Sequence, residues 1–487
     1  MLSTLLLVAV LLPVAGAVIC GLVPARWTRP LAVLAALIAA TAAALAAYGG
    51  YPAGFRVAFA GLPWLGARGV GLFGVLLDPL ATVLLLVVTA VGFLTVLYST
   101  SYLTAKNRDH AVGEDAQGRY YFWLLAFLAS MVGVAIAPNF LQLFIAWELT
   151  TVCSWALISF YRTQRSLRAG FKAILMTHAG GLFFLLAILI LFAFTGSFGF
   201  DAPARLPANL RPWVYGFLLV AAWAKAAQVP FHTWLPDAME APTPISAYLH
   251  AAAMVKAGVY LMARAVSGTW AMPASVGVLM AVMALVTILV ALSFYFVQDD
   301  LKRLLAYSTI AHLGYILLGV ALGALGSKLA FQGGVLHLFM HSFSKATLFL
   351  AVGAVAYVTG SRSIHALGGV ARVMPLTATA YFVGVLSVTG IPPFACFWSK
   401  FMILAGALQL PGMIGPAVLV LVLGESLVAF GWMLYVGQKV FFGAQTELVR
   451  QVRGDPPPAM SIALVILMLG CLLMPLIGIP LVRWIGG

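Results

Sequence analysis

Hydrophobic residues fill this chain in long runs, and short segments between the runs collect most of its charged residues. A run of roughly 18 or more apolar residues predicts a helix that crosses a bilayer, because that length covers the hydrocarbon core. We count about fourteen such runs. They cover residues 2–24, 31–48, 70–100, 119–137, 139–161, 170–196, 211–229, 242–266, 272–297, 303–323, 329–358, 373–411, 413–442 and 459–481.

The composition supports the same interpretation. Of 487 residues, 63% are hydrophobic and 8% are charged, and the mean hydropathy is +1.07. This balance indicates an all-α polytopic membrane protein whose whole length, 1–487, is one transmembrane domain. The first run has no positive segment before it and exceeds a signal peptide in apolar length, so we expect a retained helix.

Charge placement predicts the orientation. The net charge of +14 would suit nucleic acid, but we expect no nucleic-acid partner. When the loops are assigned alternately to two sides, one side holds roughly sixteen Lys and Arg and the other roughly seven, as in the positive-inside pattern. The basic side includes the RTQRSLR loop, Lys302 and Arg303 and is expected to be cytoplasmic. Both termini then lie on the non-cytoplasmic side of a cell (inner) membrane.

Seven ionisable residues lie inside apolar runs or beside a break in one. Each costs at least ~2.5–3.5 kcal/mol at the centre of a membrane helix. They are Asp78, Glu148, Lys225, Lys256, Lys345, Lys400 and Glu425. For Asp78, which lies near a helix start, the cost can be avoided if the side chain reaches the interface by snorkelling. For the set we favour a hydrophilic path inside the bundle over purely structural ion pairs.

Glu148 and Lys225 predict a proton switch. A lysine buried alone favours its neutral form, and a nearby carboxylate favours the protonated form. If Glu148 approaches and withdraws from Lys225, the lysine can hold a proton in one state and release it in another.

A stripe in run 329–358 continues this path. His337, His341 and Lys345 are spaced by four residues and therefore share one helix face. We expect all three to face the bundle interior, as a hydrated proton relay with His250 and Lys256. The alternative to a relay is that the histidines only donate hydrogen bonds to neighbouring backbone carbonyl oxygens. Water entry predicts a local break or local strain in this run, near Gly333, Gly334, Ser342 and Ser344.

Prolines interrupt two other runs. QVPFHTWLPDAMEAPTP contains Pro230, and TGIPPFACFWSKF contains Pro392 and Pro393. Proline removes a backbone donor, and in lipid the freed groups must be met by protein or water, so such breaks mark cavities and binding sites. Each break has Pro-Phe followed by Trp, with Lys225 near the first and Lys400 near the second.

The two breaks lie about five spans apart, and an odd offset reverses the orientation of a helix. We therefore predict two inverted five-helix repeats, at 119–266 and 272–442. Three helices in 1–118 precede them, and a C-terminal helix at 459–481 follows.

The sequence contains no Walker A loop, no GxGxxG after a strand and no metal-ligand spacing. Cys20, Cys153, Cys396 and Cys471 lie in apolar runs without a CxxC pair, which favours small buried side chains over a metal site or disulfide. We therefore expect no cofactor, no metal and no catalytic residue in this chain. Any redox chemistry would belong to a partner chain.

Several motifs resemble the antiporter-like subunits shared by respiratory complex I, energy-converting membrane-bound hydrogenases and multisubunit cation/proton antiporters. They are AWELTTVCSWALISF (146–160), AKAAQVPFHTWLPDAMEAPTPISAYLHAAAMVKAGVYLMAR (224–264), DDLKRLLAYSTIAHLGYILLG (299–319), HLFMHSFSKATLFL (337–350) and GIPPFACFWSKF (390–401). The resemblance implies fourteen helices, inverted repeats, and breaks in helices seven and twelve.

The resemblance also implies roles. Glu148 would be the helix-five glutamate, paired with Lys225 of helix seven, and His250 would be the link on helix eight. Lys345 would be the central lysine of helix eleven, with His337 and His341 nearby. Lys400 would be the exit-side lysine of helix twelve.

We therefore expect an ion-translocating subunit within a complex of integral membrane subunits. It would be driven by redox partners, as in a dehydrogenase or hydrogenase, or by Na⁺/H⁺ exchange. Lysines and histidines line the expected path instead of the oxygen ligands that Na⁺ would require, so H⁺ is the expected ion. The alternatives are a membrane subunit of an inorganic-carbon uptake complex and a transporter that acts alone.

Overall fold

Nineteen α-helices and one β-hairpin make up the part of the chain described by the computed structural model, residues 1–60 and 73–485. The first helices are α1 (Leu2–Leu22), α2 (Ala25–Gly50), α3 (Pro79–Tyr102), α4 (Gln117–Ile136), α5 (Phe140–Ile158), α6 (Gln164–Thr195), α7 (Arg211–Lys225), α8 (Trp234–Asp237), α9 (Thr243–Ala251) and α10 (Met254–Ser267). The others are α11 (Ala274–Ser293), α12 (Leu301–Ala324), α13 (Lys328–Thr359), α14 (Pro375–Thr389), α15 (Ala395–Ala407), α16 (Ile414–Phe441), α17 (Glu447–Arg450), α18 (Pro458–Leu473) and α19 (Pro475–Arg483).

Length and apolar composition confirm a helical, polytopic membrane protein. Within the described residues, eleven helices are long and apolar enough to cross a membrane, counting α9 and α10 together. The number is twelve if α18 and α19, which meet at an angle of 51°, count as one span. The spans of α9–α10, α12 and α13 are buried throughout, so they form the centre of the bundle, whereas α1 and α16 are mostly exposed on its outside.

A β-hairpin corrects the all-α prediction. Strands β1 (Phe55–Ala60) and β2 (Phe73–Leu77) pair antiparallel, with Val57 opposite Val75. FRVAFA and FGVLL are rich in the aromatic and β-branched residues that suit strands, but each segment is too short to stand out against the apolar runs. The predicted run 70–100 begins with residues 70–72, which lie outside the described residues, and its helix, α3, begins only at Pro79.

Two interruptions lie where the prolines indicated. Helix α7 ends at Lys225, and Pro230 lies in the irregular segment before α8. Helix α14 ends at Thr389, and Pro392 and Pro393 precede α15. A third interruption was not predicted: residues 252–253 separate α9 from α10 inside run 242–266. Both residues of this interruption are alanine, so the sequence has no Pro or Gly there that would predict it.

The local break expected in the stripe helix is wrong, because α13 continues without interruption over 32 residues, and the alternative of local strain stays a prediction. Its glycines serve close packing instead. A Cβ added at Gly334 would lie 2.9 Å from the carbonyl oxygen of Ile316, and one at Gly333 would lie 2.7 Å from the backbone nitrogen of Ile403. These glycines let α13 approach α12 and α15 closely.

Asp78 is held by partners and does not reach freely to the interface. Its Oδ1 accepts a hydrogen bond from the backbone nitrogen of Ala81 (2.8 Å), which caps α3. Both carboxylate oxygens also accept from the buried guanidinium of Arg264, with Nη2 at 3.0 Å from Oδ1. Arg264 donates further to the Tyr260 hydroxyl at 2.6 Å. The ion pair therefore ties the end of α10 to the start of α3.

Replacing Arg264 with methionine should lower the free energy of unfolding by about 1–3 kcal/mol, because the half-buried carboxylate of Asp78 is left without its partner. Thermal unfolding of the detergent-solubilised protein measures the loss. The double variant Asp78→Asn with Arg264→Met should recover part of it, because it removes both charges. Equal melting temperatures for the wild type and Arg264→Met would contradict the role given to this pair.

Candidate functional site

Histidine and lysine side chains from three helices and a serine from a fourth meet in the bundle centre. Lys256 Nζ on α10 lies 2.9 Å from His341 Nδ1 on α13. His312 Nδ1 on α12 lies 2.9 Å from His337 Nε2, and His337 Nδ1 lies 2.8 Å from the Ser399 hydroxyl on α15. All five side chains are buried. We call Lys256, His312, His337, His341 and Ser399 the central row.

His312 is a member of this row that the sequence analysis missed. Its ring centroid lies 5.2 Å from that of His337 and 5.1 Å from that of His341, so the three imidazoles are neighbours. It falls within apolar run 303–323. A histidine inside an apolar run was the signal used for His250, and the same signal would have found His312.

Lys345 lies one turn along α13 from His341 and is fully buried. Its Nζ donates to the Ser308 hydroxyl at 2.6 Å and to the carbonyl oxygen of Leu305 at 3.3 Å, both on α12. All three residues of the predicted stripe are therefore in the interior, with α12 supplying partners to each end of it.

His250 is fully buried beside the interruption between α9 and α10. Neither ring nitrogen has a hydrogen-bond partner among the described residues, and its ring centroid lies 4.7 Å from that of Phe349. His341 Nε2 also has no such partner. Buried polar atoms are normally hydrogen-bonded, so these nitrogens are free to bind water or to exchange protons with a rearranged neighbour.

Lys225 is held at the end of α7 by neutral oxygen atoms. Its Nζ donates to the carbonyl oxygen of Trp147 at 2.9 Å and to the Thr151 hydroxyl at 2.5 Å, both on α5. The ammonium also lies 4.8 Å from the centroid of the Trp147 ring. The side chain is fully buried, and its two hydrogen bonds both go to α5.

Glu148 does not pair directly with Lys225. Within the described residues no ion pair within 4.0 Å joins them, and Glu148 Oε2 lies 2.8 Å from His178 Nδ1 on α6. The carboxylate points toward α6 because Gly181 leaves room for it, since a Cβ there would lie 2.1 Å from Oε1. The acid and the lysine are neighbours through Trp147, which precedes Glu148 and binds Lys225 through its carbonyl.

His178 is the second histidine that the sequence analysis missed, although it lies in run 170–196. It occupies the middle of α6, and its side chain is 56% exposed, against 22% for Glu148. This titratable pair therefore lies on the outer face of α5 and α6, away from both ends of α6.

Lys400 lies just after the second interruption and is also held by neutral groups. Its Nζ donates to the carbonyl oxygen of Thr389 at 3.1 Å and to the Ser426 hydroxyl at 2.9 Å. Thr389 is the last residue of α14, and the last carbonyls of a helix lack intrahelical partners. The break thus supplies an acceptor for the lysine. The Nζ also lies 4.6 Å from the centroid of the Tyr315 ring.

Lys302, which the sequence assigns to the basic side, lies in the first turn of α12 and is buried. Its Nζ donates to the carbonyl oxygens of Met239 (2.8 Å) and Ala241 (2.7 Å), in the segment between α8 and α9. It therefore fixes this irregular segment against α12.

Among the residues that the structure describes, no group of three His, Cys, Asp or Glu side chains is arranged to hold a metal ion. All four cysteines are free and buried.

Residues 137–429, more than half of the chain, match the family described as NADH:quinone oxidoreductase/Mrp antiporter, transmembrane region. The chain belongs to this antiporter family. Residues 71–111 also match the N-terminal region of complex I chain 5. All residues predicted for the relay, from Glu148 to Lys400, fall within the first match.

Curated relatives of this family member include chloroplastic NAD(P)H-quinone oxidoreductase subunit 5 from two organisms. The protein of Chaetosphaeridium globosum is 37% identical over 366 residues, which cover 71% of this chain and 52% of the relative. That of Anthoceros angustus is 39% identical over 353 residues, covering 68% and 46%. The chain thus spans about half the length of these relatives.

Two solved structures resemble the whole fold. The Mrp complex from Dietzia sp. DQ12-45-1b contains a chain that superimposes with a TM-score of 0.86 at 30% identity, covering 99% of this chain and 51% of that one. The membrane-bound sulfane sulfur reductase, an archaeal respiratory membrane complex, contains a chain that superimposes with a TM-score of 0.83 at 25% identity, covering 99% and 97%.

Proposed function

We propose that this antiporter-family chain translocates protons as one subunit of a multisubunit membrane complex. The observation that carries the proposal is the central row, in which two hydrogen-bonded groups of buried lysine, histidine and serine side chains cross between helices. Titratable side chains at this depth are costly and are typical of ion and proton pathways. Imidazole nitrogens can both donate and accept, so adjacent rings can pass a proton.

The chemistry of the row favours H⁺ over Na⁺. Hard cations are bound by several oxygen ligands, whereas this row presents mainly nitrogen atoms of lysine and histidine. In the proposed path Lys225 is the switch controlled by Glu148. The proton then passes through the bundle to Lys400 by way of the central row, His250 and Lys345. The contact of Glu148 with His178 corresponds to the state in which the acid is withdrawn from the lysine.

Other membrane subunits are proposed as partners because of the outer face of α5 and α6. The Glu148–His178 pair is partly exposed near the middle of α6, and lipid would solvate such a pair poorly. A neighbouring subunit with polar groups at that depth would cover it. The relatives named above belong to oxidoreductase and Mrp complexes, which favours this proposal over a carbon-uptake subunit or a solitary transporter.

The energy source in this proposal is either a redox reaction on partner subunits or Na⁺/H⁺ exchange. The proposed topology has fourteen crossings in a cell membrane, with both termini on the non-cytoplasmic side. The interruptions after α7 and α14, each with a buried lysine, support two inverted repeats over 119–266 and 272–442.

Exchange of His337 or His341 for glutamine tests the relay. Each variant should slow proton uptake by roughly tenfold without stopping it, because water can replace one member of a proton-transfer chain. The measurement is the rate of pH change inside proteoliposomes that contain the assembled complex. His365→Gln is the control, since His365 lies exposed in the loop before α14. Wild-type rates in both central variants would count against the relay.

A further inference from the structure

Glu425 is a buried acid to which the relay gives no role. It lies on α16 and is 2% exposed, although its neighbours Leu423 and Leu427 face outward. Its Oε2 accepts a hydrogen bond from the Tyr315 hydroxyl on α12, and its Oε1 has no partner among the described residues. A carboxyl group at this position costs free energy whether it packs against helices or faces lipid, and such buried acids are typical of functional sites.

Three hydrogen bonds connect this acid to Lys400. Lys400 Nζ donates to the Ser426 hydroxyl at 2.9 Å, the Ser426 and Tyr315 hydroxyl oxygens lie 3.0 Å apart, and Tyr315 reaches Glu425 Oε2. Within the described residues, no direct ion pair within 4.0 Å joins Lys400 to Glu425. The ammonium and the carboxyl group are therefore connected only through the Ser426 and Tyr315 hydroxyls in the described part of the chain.

The direction of these bonds is uniform. The Tyr315 hydroxyl has two acceptors, Glu425 Oε2 and, at 3.3 Å, the Val422 carbonyl oxygen, and we assign its hydrogen to the shorter contact with Glu425. With either acceptor, Ser426 is the donor to the Tyr315 oxygen. Ser426 in turn accepts from the ammonium of Lys400. Every donor therefore points from the lysine toward the acid, which is the arrangement that a stepwise proton transfer requires.

Tyr315 is well placed for this task. Its ring lies beneath the ammonium of Lys400, with 4.6 Å from Nζ to the ring centroid, while its hydroxyl binds the acid. The ring is also stacked at 5.4 Å from that of His312 and lies 5.6 Å from that of His337. One side chain thus contacts the lysine, the acid and the central row.

Resting on the proposed function, we propose that Glu425 is the proton acceptor for Lys400 and that Ser426 and Tyr315 conduct the proton between them. An N–H bond of the Lys400 ammonium breaks as Ser426 Oγ gains that proton. The Ser426 hydroxyl proton passes to the Tyr315 oxygen, and the phenolic proton passes to Glu425. The products are a neutral amine, two intact hydroxyls and a protonated carboxyl group.

Charge balances in this step, because one positive and one negative group become two neutral groups. A buried, low-dielectric site favours that outcome when the charges are not in direct contact. The proton arrives on Oε2, and rotation of the protonated carboxyl group would bring this O–H to the position of Oε1, which has no protein partner in the described part of the chain; from there the proton can leave.

Three variants of the assembled complex test the proposal in proteoliposomes. Glu425→Gln removes the acceptor, Tyr315→Phe keeps the ring but removes the connecting hydroxyl, and Ser426→Ala removes the other hydroxyl. We expect proton transport to fall by at least about tenfold in Glu425→Gln and by severalfold in the other two. Tyr381→Phe is the matched control, because Tyr381 is equally buried and, among the described residues, its hydroxyl donates only to the Met433 carbonyl oxygen of α16.

A spectroscopic readout separates proton transfer from a packing role. During turnover, infrared difference spectra of the wild type should show the band of a protonated carboxyl group, and Glu425→Gln should lack it. If that variant does not assemble, Tyr315→Phe must lose the band and the transport rate together. Wild-type transport and an unchanged band in Tyr315→Phe would overturn this inference alone. A wild-type complex that moves no protons would overturn the proposed function, and this inference with it.

Discussion

Exchange of Lys225 for alanine should abolish proton transport while the complex still assembles. The variant removes a fully buried ammonium whose contacts are neutral oxygens and an indole ring. No other lysine on α7 can replace it, because Lys225 is the only one in that helix. We expect a loss of at least about 100-fold, the scale of a positioned proton-transfer group. Glu148→Ala should have a comparable effect, since it removes the acid that controls the switch.

A charge-preserving variant sharpens this test. Lys225→Arg keeps the positive charge but cannot release its proton in the protein, so it should be as inactive as Lys225→Ala. The measurement is proton uptake by proteoliposomes, with the amount of assembled complex determined in parallel. Lys439→Ala is the control, because Lys439 lies near the end of α16 and contacts exposed His365. Wild-type uptake by both Lys225→Ala and Glu148→Ala would refute the switch.

The helical membrane architecture could be predicted because its cause is local. A span must be long and apolar, so α13 (Lys328–Thr359) nearly coincides with run 329–358. The prolines likewise predicted the interruptions after α7 and α14, because proline lacks the backbone N–H that continues the helical hydrogen bonds. Burial of Lys225 and Lys345 followed from their depth within apolar runs.

Features that depend on neighbouring helices could not be predicted in the same way. The alanines at 252–253 carry no signal for a break between α9 and α10. Glu148 turns toward His178 because Gly181 makes room for it, and such a packing choice is not encoded in the spacing of either residue. The link from Lys400 to Glu425 requires α12, α15 and α16 to meet, which only the folded arrangement shows.

Lys345→Ala should bring proton transport through this subunit close to background. Lys345 is the only member of the stripe that is charged over most of the pH range in water, and α12 holds it through the Ser308 hydroxyl and the Leu305 carbonyl. Alanine leaves no titratable group at that position, so the stripe on α13 then ends one turn earlier, at His341. The expected loss is at least about 100-fold.

The most direct test of a proton path through this chain is the number of protons moved per turnover of the driving reaction, or per Na⁺ exchanged. It should be measured in proteoliposomes with the wild-type complex, Lys345→Ala and the control Lys328→Ala, whose lysine is exposed at the start of the same helix. The proposed relay predicts a normal ratio for the wild type and Lys328→Ala, and a ratio reduced by the contribution of this subunit for Lys345→Ala. An unchanged ratio in an assembled Lys345→Ala complex would contradict it.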